Sequence, residues 1–317
     1  MHFAFSPEQI ELRNVVRELL SDSDAFTLSR RAASSEPADR ELWKELCGLG
    51  AQSVLVPAEA GGLGLDERWL VLLLEEFGYW DVPLPVVESI AVAAPILRDK
   101  IAQDALVSTD LGSKMVPFAA DVDYILLRDG GIGPVLAHRE DVMLHPVQTL
   151  DPSRRGAWVT PCLDRCTMVG GDLETATARG EWGTAALLIG LAQRMLDMSV
   201  DYVLQREQFG VVIGSFQAVK HHLADVAVAI RFARPTLYRA SWALAVGDPD
   251  RALDVSAAKI LAVQAAELAA SKALQCHGAI GYTEESDLQL FMKRAWSISR
   301  TWGDQNEHYS RVASSWA

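Results

Sequence analysis

The spacing of apolar residues predicts that the first hundred residues are helical. Ser6 is a typical N-cap residue, and Pro7 suits the first turn of a helix. Apolar residues then recur on one face of that helix, at Ile10, Val15 and Leu19. Similar patterns predict further helices at about 40–48, 66–77 and 86–100. The pattern therefore predicts an all-helical N-terminal domain.

The pattern changes near residue 105. The stretch KMVPFAADVDYILLRDGGIGPVLAHREDVMLHPV has short β-branched runs separated by glycine and proline, without a sustained helical period. The same pattern of short runs continues through GAWVTPCL and CTMVGGDLETATA. Short strands separated in this way predict a small β domain.

Long helical segments return at Trp182. They are predicted at about 182–208, 216–246, 251–276 and 285–300. The short, glycine-containing connections between them indicate an antiparallel four-helix bundle. The sequence thus predicts a mainly α protein with a small β domain, divided into an N-terminal helical domain (1–104), a reduced β domain (105–178) and a C-terminal four-helix bundle (179–317).

Charge and hydropathy exclude several classes of protein. The formal net charge of −13, without a run of basic residues, argues against a nucleic-acid partner. The N-terminus carries charges where a secretion signal needs an apolar run. The most apolar window, 185–204, is interrupted by Arg194, Asp197 and Asp201, which are costly in lipid. We therefore expect a soluble cytoplasmic protein that does not enter the membrane.

The cysteines and histidines do not predict a metal site. Cys162 and Cys166 lie four residues apart, but no second pair with zinc-like spacing follows them. His221 and His222 are adjacent and therefore diverge on a helix. We interpret the four scattered cysteines as reduced thiols, which fits a cytoplasmic location.

The stretch YVLQREQFGVVIGSFQAVKHHLAD contains the first candidate site. Arg206 and Gln208 lie at the end of one predicted helix, and Gln217 lies in the first turn of the next. The planar guanidinium of arginine can donate two parallel hydrogen bonds to a diphosphate, and a helix N-terminus adds free backbone N–H groups. The alternative is an exposed arginine beside two solvated glutamines.

The stretch KALQCHGAIGYTEESDLQLFMKRAW contains the second candidate. A predicted helix ends at Gln275–His277, and small residues follow it. Gly278 and Gly281 permit a close backbone approach that a side chain would block. The alternative is an ordinary helical corner that ends in a glycine cap.

Together, these segments resemble two signatures of the acyl-CoA dehydrogenase family, in order and in separation. FSPEQIELRNVVRELL and LWKELCGLGAQSVLVPAEAGGLGL are similar to the helical N-terminal domain of that family, and GLAQRMLDMSVDYVLQREQFG is similar to the entry to its C-terminal bundle. The resemblance covers nearly the whole chain outside 105–178. It implies a three-domain flavoenzyme fold.

The resemblance also implies a cofactor, FAD, that lies across a subunit interface. Residues of the two segments would contact the ADP part of a flavin bound by a neighbouring subunit. By position they are Arg206, Gln208, Phe209, Phe216, Gln217, Gln275, His277, Gly278 and Ala279. Ala279 stands where the family usually has a second glycine, which narrows the space for the cofactor.

The catalytic base of the family is missing at its usual position. A Glu in a Tyr-Glu-Gly context normally removes the α-proton of the acyl-CoA thioester while a hydride leaves the β-carbon for the flavin. In this chain Trp302 precedes Gly303 at that position. Trp cannot accept a proton, and Asp304, two residues further on, points elsewhere. Some family members place the base on the helix before GLAQR, where this chain has Gly180 followed by Glu181.

The middle domain also departs from the family, because its flavin-ring loop has no counterpart between Leu106 and Arg179. This combination resembles the shortened subunit of heteromeric α2β2 acyl-CoA dehydrogenases from bacterial steroid degradation. The resemblance implies no catalytic residue on this chain, an unlike partner that carries the Glu, a steroid side-chain CoA ester as one candidate substrate, and an acceptor of the electron-transfer flavoprotein type. Two alternatives stay open: a structural subunit without cofactor, and a self-sufficient homo-oligomeric flavoenzyme that uses Glu181.

Overall fold

The N-terminal part of the chain is helical, as the sequence predicts. The computed structural model describes residues 4–23, 25–34, 36–129 and 133–316. The helices are α1 (Pro7–Asp22), α2 (Ala25–Ala33), α3 (Arg40–Gly48) and α4 (Glu67–Tyr79). Ser6 caps α1, because its side chain accepts from the Gln9 N–H while the Gln9 side chain accepts from the Ser6 N–H. The predicted N-cap is confirmed.

The segment expected to be one helix at 86–100 is instead a π-helix, Val87–Ala93, that continues into a short helix α5 (Ala94–Leu97). Pro95 has no N–H to donate to the carbonyl four residues earlier, and its ring crowds that carbonyl, which favours a wider turn. Glu88 lies within this π-helix and is 8% exposed. A carboxylate therefore enters the interior.

The middle of the chain forms two small sheets. One has the strand order β1–β2–β3–β6, with β1 (Val107–Thr109) parallel to β2 (Tyr124–Asp129) and the other neighbours antiparallel. Its remaining strands are β3 (Gly133–His138) and β6 (Thr167–Met168). The other sheet is a hairpin of β4 (Val142–Pro146) and β5 (Ala157–Pro161), with Met143 opposite Thr160. The six strands of these two sheets lie within the part predicted to be β.

The C-terminal part is built on three long helices. They are α6 (Leu173–Gln205), α7 (Gln217–Val246) and α8 (Arg251–His277), and the shorter α9 (Leu288–Ile298) completes the bundle. The predicted start of the first helix, Trp182, is wrong, because α6 begins after Asp172, whose side chain caps two backbone N–H groups. A further helix, α10 (Gln305–Ser314), was not predicted, since His308 is its one buried residue.

The N-terminal domain and the bundle pack closely where α4 crosses α6. A Cβ on Gly78 would stand 2.2 Å from the Leu187 carbonyl oxygen, and a Cβ on Gly190 would stand 2.1 Å from the Glu75 carbonyl oxygen. Only glycine permits this approach. Buried apolar residues from all three parts of the chain form one continuous core. No helix of the described residues is both long enough and apolar enough to span a bilayer.

Candidate functional site

One end of the bundle brings the two sequence segments together. Arg206 is the C-cap of α6, and a two-stranded turn, β7 (Glu207–Gln208) with β8 (Val211–Val212), follows it. Phe216 is the N-cap of α7 and Gln217 its first residue. Gln275 and His277 lie in the last turn of α8, and Gly278 and Ala279 begin the 3₁₀ turn that follows. All nine residues expected to contact a cofactor therefore lie at helix ends or in turns.

A ring contact joins the two segments. Tyr202 of α6 stacks on His277 of α8, with ring centroids 4.4 Å apart. His277 Nδ1 lies 2.8 Å from the Ala273 carbonyl oxygen. Burial lowers the pKa of His277, so its ring is mainly neutral at pH 7 and fits this packed position. His277 is buried, with 8% of the residue exposed, and it thus holds the ends of α6 and α8 together.

The other members of the set are available to a ligand. In the described part of the chain, the Arg206 guanidinium makes no ion pair or hydrogen bond, and it is exposed. Phe209 is 93% exposed and has a positive φ of 56°. Gly278 also has a positive φ, of 63°, and an added Cβ there would meet no atom within 4 Å. Free donors beside an exposed aromatic face suit the phosphates and rings of a dinucleotide, so these residues fit FAD.

A second region of interest surrounds Trp302. Its ring lies directly against Gly180 of α6, where an added Cβ would stand 2.3 Å from ring carbon Cδ2. Gly180 and Trp302 are the two positions at which the family resemblance places a catalytic base. They are far apart in sequence and in contact in the fold, and neither offers a carboxylate. The indole at one of the two base positions, Trp302, therefore lies directly against the other, Gly180.

The carboxylate nearest to these positions in sequence is fully engaged. Glu181 is 3% exposed, and both of its oxygens accept from the Arg311 guanidinium at 2.7 Å. Arg311 belongs to α10, so this pair fastens the last helix to α6. A base must reach the proton that it removes. Glu181 instead has its acceptor oxygens occupied by a cation inside the protein.

Two further buried side chains hold the loop that carries Trp302. Lys259 is fully buried and donates to the Thr301 carbonyl oxygen at 2.7 Å. His308 Nε2 lies 3.1 Å from the Trp302 carbonyl oxygen, so it donates there, and its Nδ1 lies 3.1 Å from Ser256 Oγ. Burial lowers the pKa of Lys259 to about 7, opposed by the charge of Glu181. Burial also lowers the pKa of His308.

A buried ionic network connects all three parts of the fold. Arg294 of α9 donates to Asp151, before β5, and lies 3.5 Å from Asp81 near α4. Arg154 lies 4.0 Å from Glu88. Burial raises the pKa of Glu88, opposed mainly by Arg154, and burial raises the pKa of Asp81 to about 6. These buried charges form a cluster that spans the N-terminal domain, the β domain and the bundle.

The sequence alone assigns no role to several residues that lie near Trp302 or Glu181. Lys259 and Glu88 could have been noticed, because each is a lone charge in an otherwise apolar segment (AAKILAV and VVESIAV). Gly112, His308 and Arg311 carry no such local signal, since only the fold brings them to Trp302 or Glu181. Within the described residues, no group of three or more His, Cys, Asp or Glu side chains could hold a metal ion.

Comparisons with known proteins agree with this fold. The N-terminal domain model of the acyl-CoA dehydrogenases matches residues 6–99, and the C-terminal domain model matches residues 173–315. The acyl-CoA dehydrogenase IpdE2 of Mycolicibacterium smegmatis is 31% identical over 321 residues, which cover 97% of this chain and 98% of that protein.

Solved structures share the fold at lower identity. The Tcur3481–Tcur3483 steroid ACAD G363A variant has a TM-score of 0.86 and 24% identity, covering 97% of each chain. The ChsE4–ChsE5 complex from Mycobacterium tuberculosis has a TM-score of 0.86 and 22% identity, covering 100% of this chain and 99% of that one. With two domain models and a full-length relative in agreement, this chain belongs to the acyl-CoA dehydrogenase family, whose members are FAD-dependent oxidoreductases that act on CH–CH bonds.

Proposed function

We propose that this chain is the subunit without a catalytic base in a heteromeric, FAD-dependent acyl-CoA dehydrogenase. The complex would be an α2β2 assembly that desaturates the α,β bond of an acyl-CoA thioester. The unlike partner would carry the catalytic Glu, and this chain would complete the partner's FAD site. The site residues on this chain therefore bind cofactor and do not transfer protons.

The contact between Gly180 and Trp302 is the observation that carries the proposal. An added Cβ on Gly180 would stand 2.3 Å from the indole, so no larger residue fits there beside Trp302. Neither of the family's two base positions has a group that can accept a proton. Glu181 is no substitute, because the Arg311 guanidinium holds both of its oxygens at 2.7 Å. This geometry argues against a self-sufficient enzyme that uses Glu181.

The exposed end of the bundle supports the cofactor role. Arg206, Gln208 and Gln217 would donate hydrogen bonds to the diphosphate, and Gln275 with the Gly278 backbone would contact the remaining ADP part. Phe209 and Phe216, whose ring centroids are 6.2 Å apart, would shield the nucleotide from water. FAD, when bound, accepts the hydride that leaves the β-carbon of the thioester. The exposed Arg206, in the same turn region as Phe209 and Phe216, supports a cofactor-binding subunit over a purely structural one.

The relatives suggest the substrate class and the partners. One solved structure with this fold is named a steroid ACAD, and another is a complex of two differently named chains. We propose a steroid-derived acyl-CoA substrate, a dissimilar acyl-CoA dehydrogenase chain as the partner, and an electron-transfer flavoprotein as the acceptor.

Co-expression tests the proposed function. The chain is purified alone and together with an acyl-CoA dehydrogenase chain that carries the catalytic Glu and is encoded beside it. We expect the single chain to be colourless, and the co-purified complex to show flavin absorbance and to desaturate acyl-CoA. A single chain that binds flavin one to one and turns over thioester unaided would contradict the proposal. A complex without flavin would favour a purely structural subunit.

A further inference from the structure

Trp302 touches each of the three domains. One side of its ring faces Gly112, in the loop after β1, and another faces Gly180 of α6. Its side chain also lies beside Glu88 in the π-helix of the N-terminal domain, where it partly offsets the rise in the pKa of that carboxyl that burial causes. Trp302 itself is 3% exposed. One indole therefore lies at the point where the β domain, the bundle and the N-terminal domain meet.

Two glycine backbones lie directly against this indole. A Cβ on Gly112 would stand 2.4 Å from Trp302 Cε2, and a Cβ on Gly180 would stand 2.3 Å from Trp302 Cδ2. Real Cβ atoms do not come so close, so both positions require glycine while Trp302 holds this conformation. The two glycines thus line a narrow slot that the indole fills.

The loop keeps an unfavourable backbone conformation in order to place the ring there. Trp302 has a φ of 57° and Gly303 a φ of 83°. A bulky residue with positive φ is uncommon, and it persists where the surroundings over-determine it. The Trp302 N–H donates to the Gly112 carbonyl oxygen at 2.9 Å, while the buried Lys259 and His308 donate to the two carbonyls of Thr301 and Trp302. The β domain and the bundle thus both contribute hydrogen bonds that hold this loop in place.

We propose that Trp302 is a built-in ligand. Its indole fills a slot between the domains that a separate planar, apolar molecule would otherwise occupy. The chain is therefore closed around its own side chain and needs no acyl group or cofactor to hold its three domains together. The slot and the proposed function share the contact between Gly180 and Trp302, but the stability of this chain alone tests the slot, without flavin or turnover.

A double-mutant cycle tests the slot. In the otherwise unchanged chain, Gly180→Ala should lower the thermal midpoint by on the order of 5 °C, because its methyl group overlaps the indole. In a Trp302→Ala background the same substitution should cost nothing, since the overlap has gone and alanine favours a helix. If Gly180→Ala lowered the thermal midpoint equally in the unchanged chain and in the Trp302→Ala chain, the proposal would be overturned.

Gly183→Ala is the matched control on the same helix. Its added Cβ would meet Val87 Cγ1 at 3.1 Å, and Trp302 is not among its near neighbours. Its effect should therefore be the same with and without Trp302. If Trp302→Ala does not fold, Trp302→Phe replaces it, and Gly180→Ala should then cost less than in the unchanged chain. An undiminished cost beside Phe would again overturn the proposal.

Chemical rescue tests the ligand character of the slot. Indole at millimolar concentration should raise the thermal midpoint of Trp302→Gly and leave the unchanged chain unaffected. A Trp302→Gly chain with native circular dichroism and no response to indole would show that no such slot exists.

Discussion

Arg311 of the last helix donates two hydrogen bonds of 2.7 Å to Glu181 of α6, one to each carboxylate oxygen. Glu181 is 4% exposed in its side chain, whereas Arg311 is 38% exposed. The two partners are therefore in different environments. The buried Glu181 carboxylate depends on Arg311 to compensate its charge, whereas the Arg311 guanidinium is also solvated by water. Removal of either partner should have different consequences.

We expect Arg311→Ala to destabilise the chain by about 3 kcal/mol, because it leaves the Glu181 charge buried without its main partner. Glu181→Gln should cost less, about 1 kcal/mol, since the freed Arg311 is solvated. Urea denaturation of both variants measures the difference. Arg300→Ala, at an exposed arginine, is the control and should stay within about 0.5 kcal/mol. If Arg311→Ala and Glu181→Gln lowered the free energy of unfolding equally, the different environments of the two partners would have no effect on stability, contrary to this prediction.

Glu181→Gln also bears on catalysis. In the assembled complex this variant should turn over acyl-CoA at nearly the unchanged rate, because a carboxylate held by Arg311 inside the protein does not reach substrate. Steady-state kcat of the complex measures this. Complete loss of turnover with normal assembly would instead assign the base to Glu181.

Arg206→Ala should lower the flavin occupancy of the complex. Loss of a charge-assisted pair of hydrogen bonds to a diphosphate corresponds to about 2–3 kcal/mol, or on the order of 100-fold weaker binding. Arg231→Ala is a suitable control, since Arg231 is exposed on the same bundle and lies about 21 Å along α7 from Gln217. Flavin absorbance per complex after gel filtration gives the result. Equal flavin content in both variants would exclude Arg206 from the cofactor site.

The buried Lys259 predicts a pH dependence of stability. Its folded pKa of about 7 lies below the ordinary value of 10.5, so between these values the folded chain binds fewer protons than the unfolded chain. Stability from this group should therefore increase as pH rises from 7 towards 10.5. Lys259→Met removes this dependence, so it should be at least as stable as the unchanged chain at pH 6. At pH 9 it should be less stable, because the bond to the Thr301 carbonyl is lost.

Urea midpoints of both chains at pH 6 and pH 9 check this expectation. Lys220→Met, at an exposed lysine of α7, should show the same difference from the unchanged chain at both pH values. A Lys259→Met effect that does not change with pH would mean that Lys259 is not charged differently in the folded and unfolded states.

Asp81 predicts the opposite slope at lower pH. Burial raises its pKa from 3.8 to about 6, so the folded chain binds more protons than the unfolded chain between these values. Stability from this group should fall as pH rises from about 4 to 6, and the cost is fully present at pH 7. Asp81→Asn should therefore stabilise the chain more at pH 7 than at pH 5, and Asn tolerates the positive φ of 50° at this position. Urea midpoints of both chains at pH 5 and pH 7 measure this. A stabilisation by Asp81→Asn that is no larger at pH 7 than at pH 5 would contradict the prediction.

Local pattern alone determined much of this protein. The Ser6 cap, the helical ends, the short strands between residues 107 and 168, and the family resemblance all depend on residues that are close together in sequence. Trp302 in place of the usual Glu was also visible in the sequence, because it is a matter of residue type at one position. Local pattern did not predict the first turns of α6, because glycines near Trp182 lower the helix propensity there. It did not predict α10 either, because this polar helix has no apolar stripe.

Only the tertiary structure decided what surrounds Trp302. Gly112, Gly180 and Trp302 come from three distant segments, and no periodicity reports that their backbones meet at one indole. The burial of Lys259 and the hold of Arg311 on Glu181 depend likewise on how α6, α8 and α10 pack. Sequence periodicity records which face of an element is buried, whereas the partner of that face is set by long-range packing.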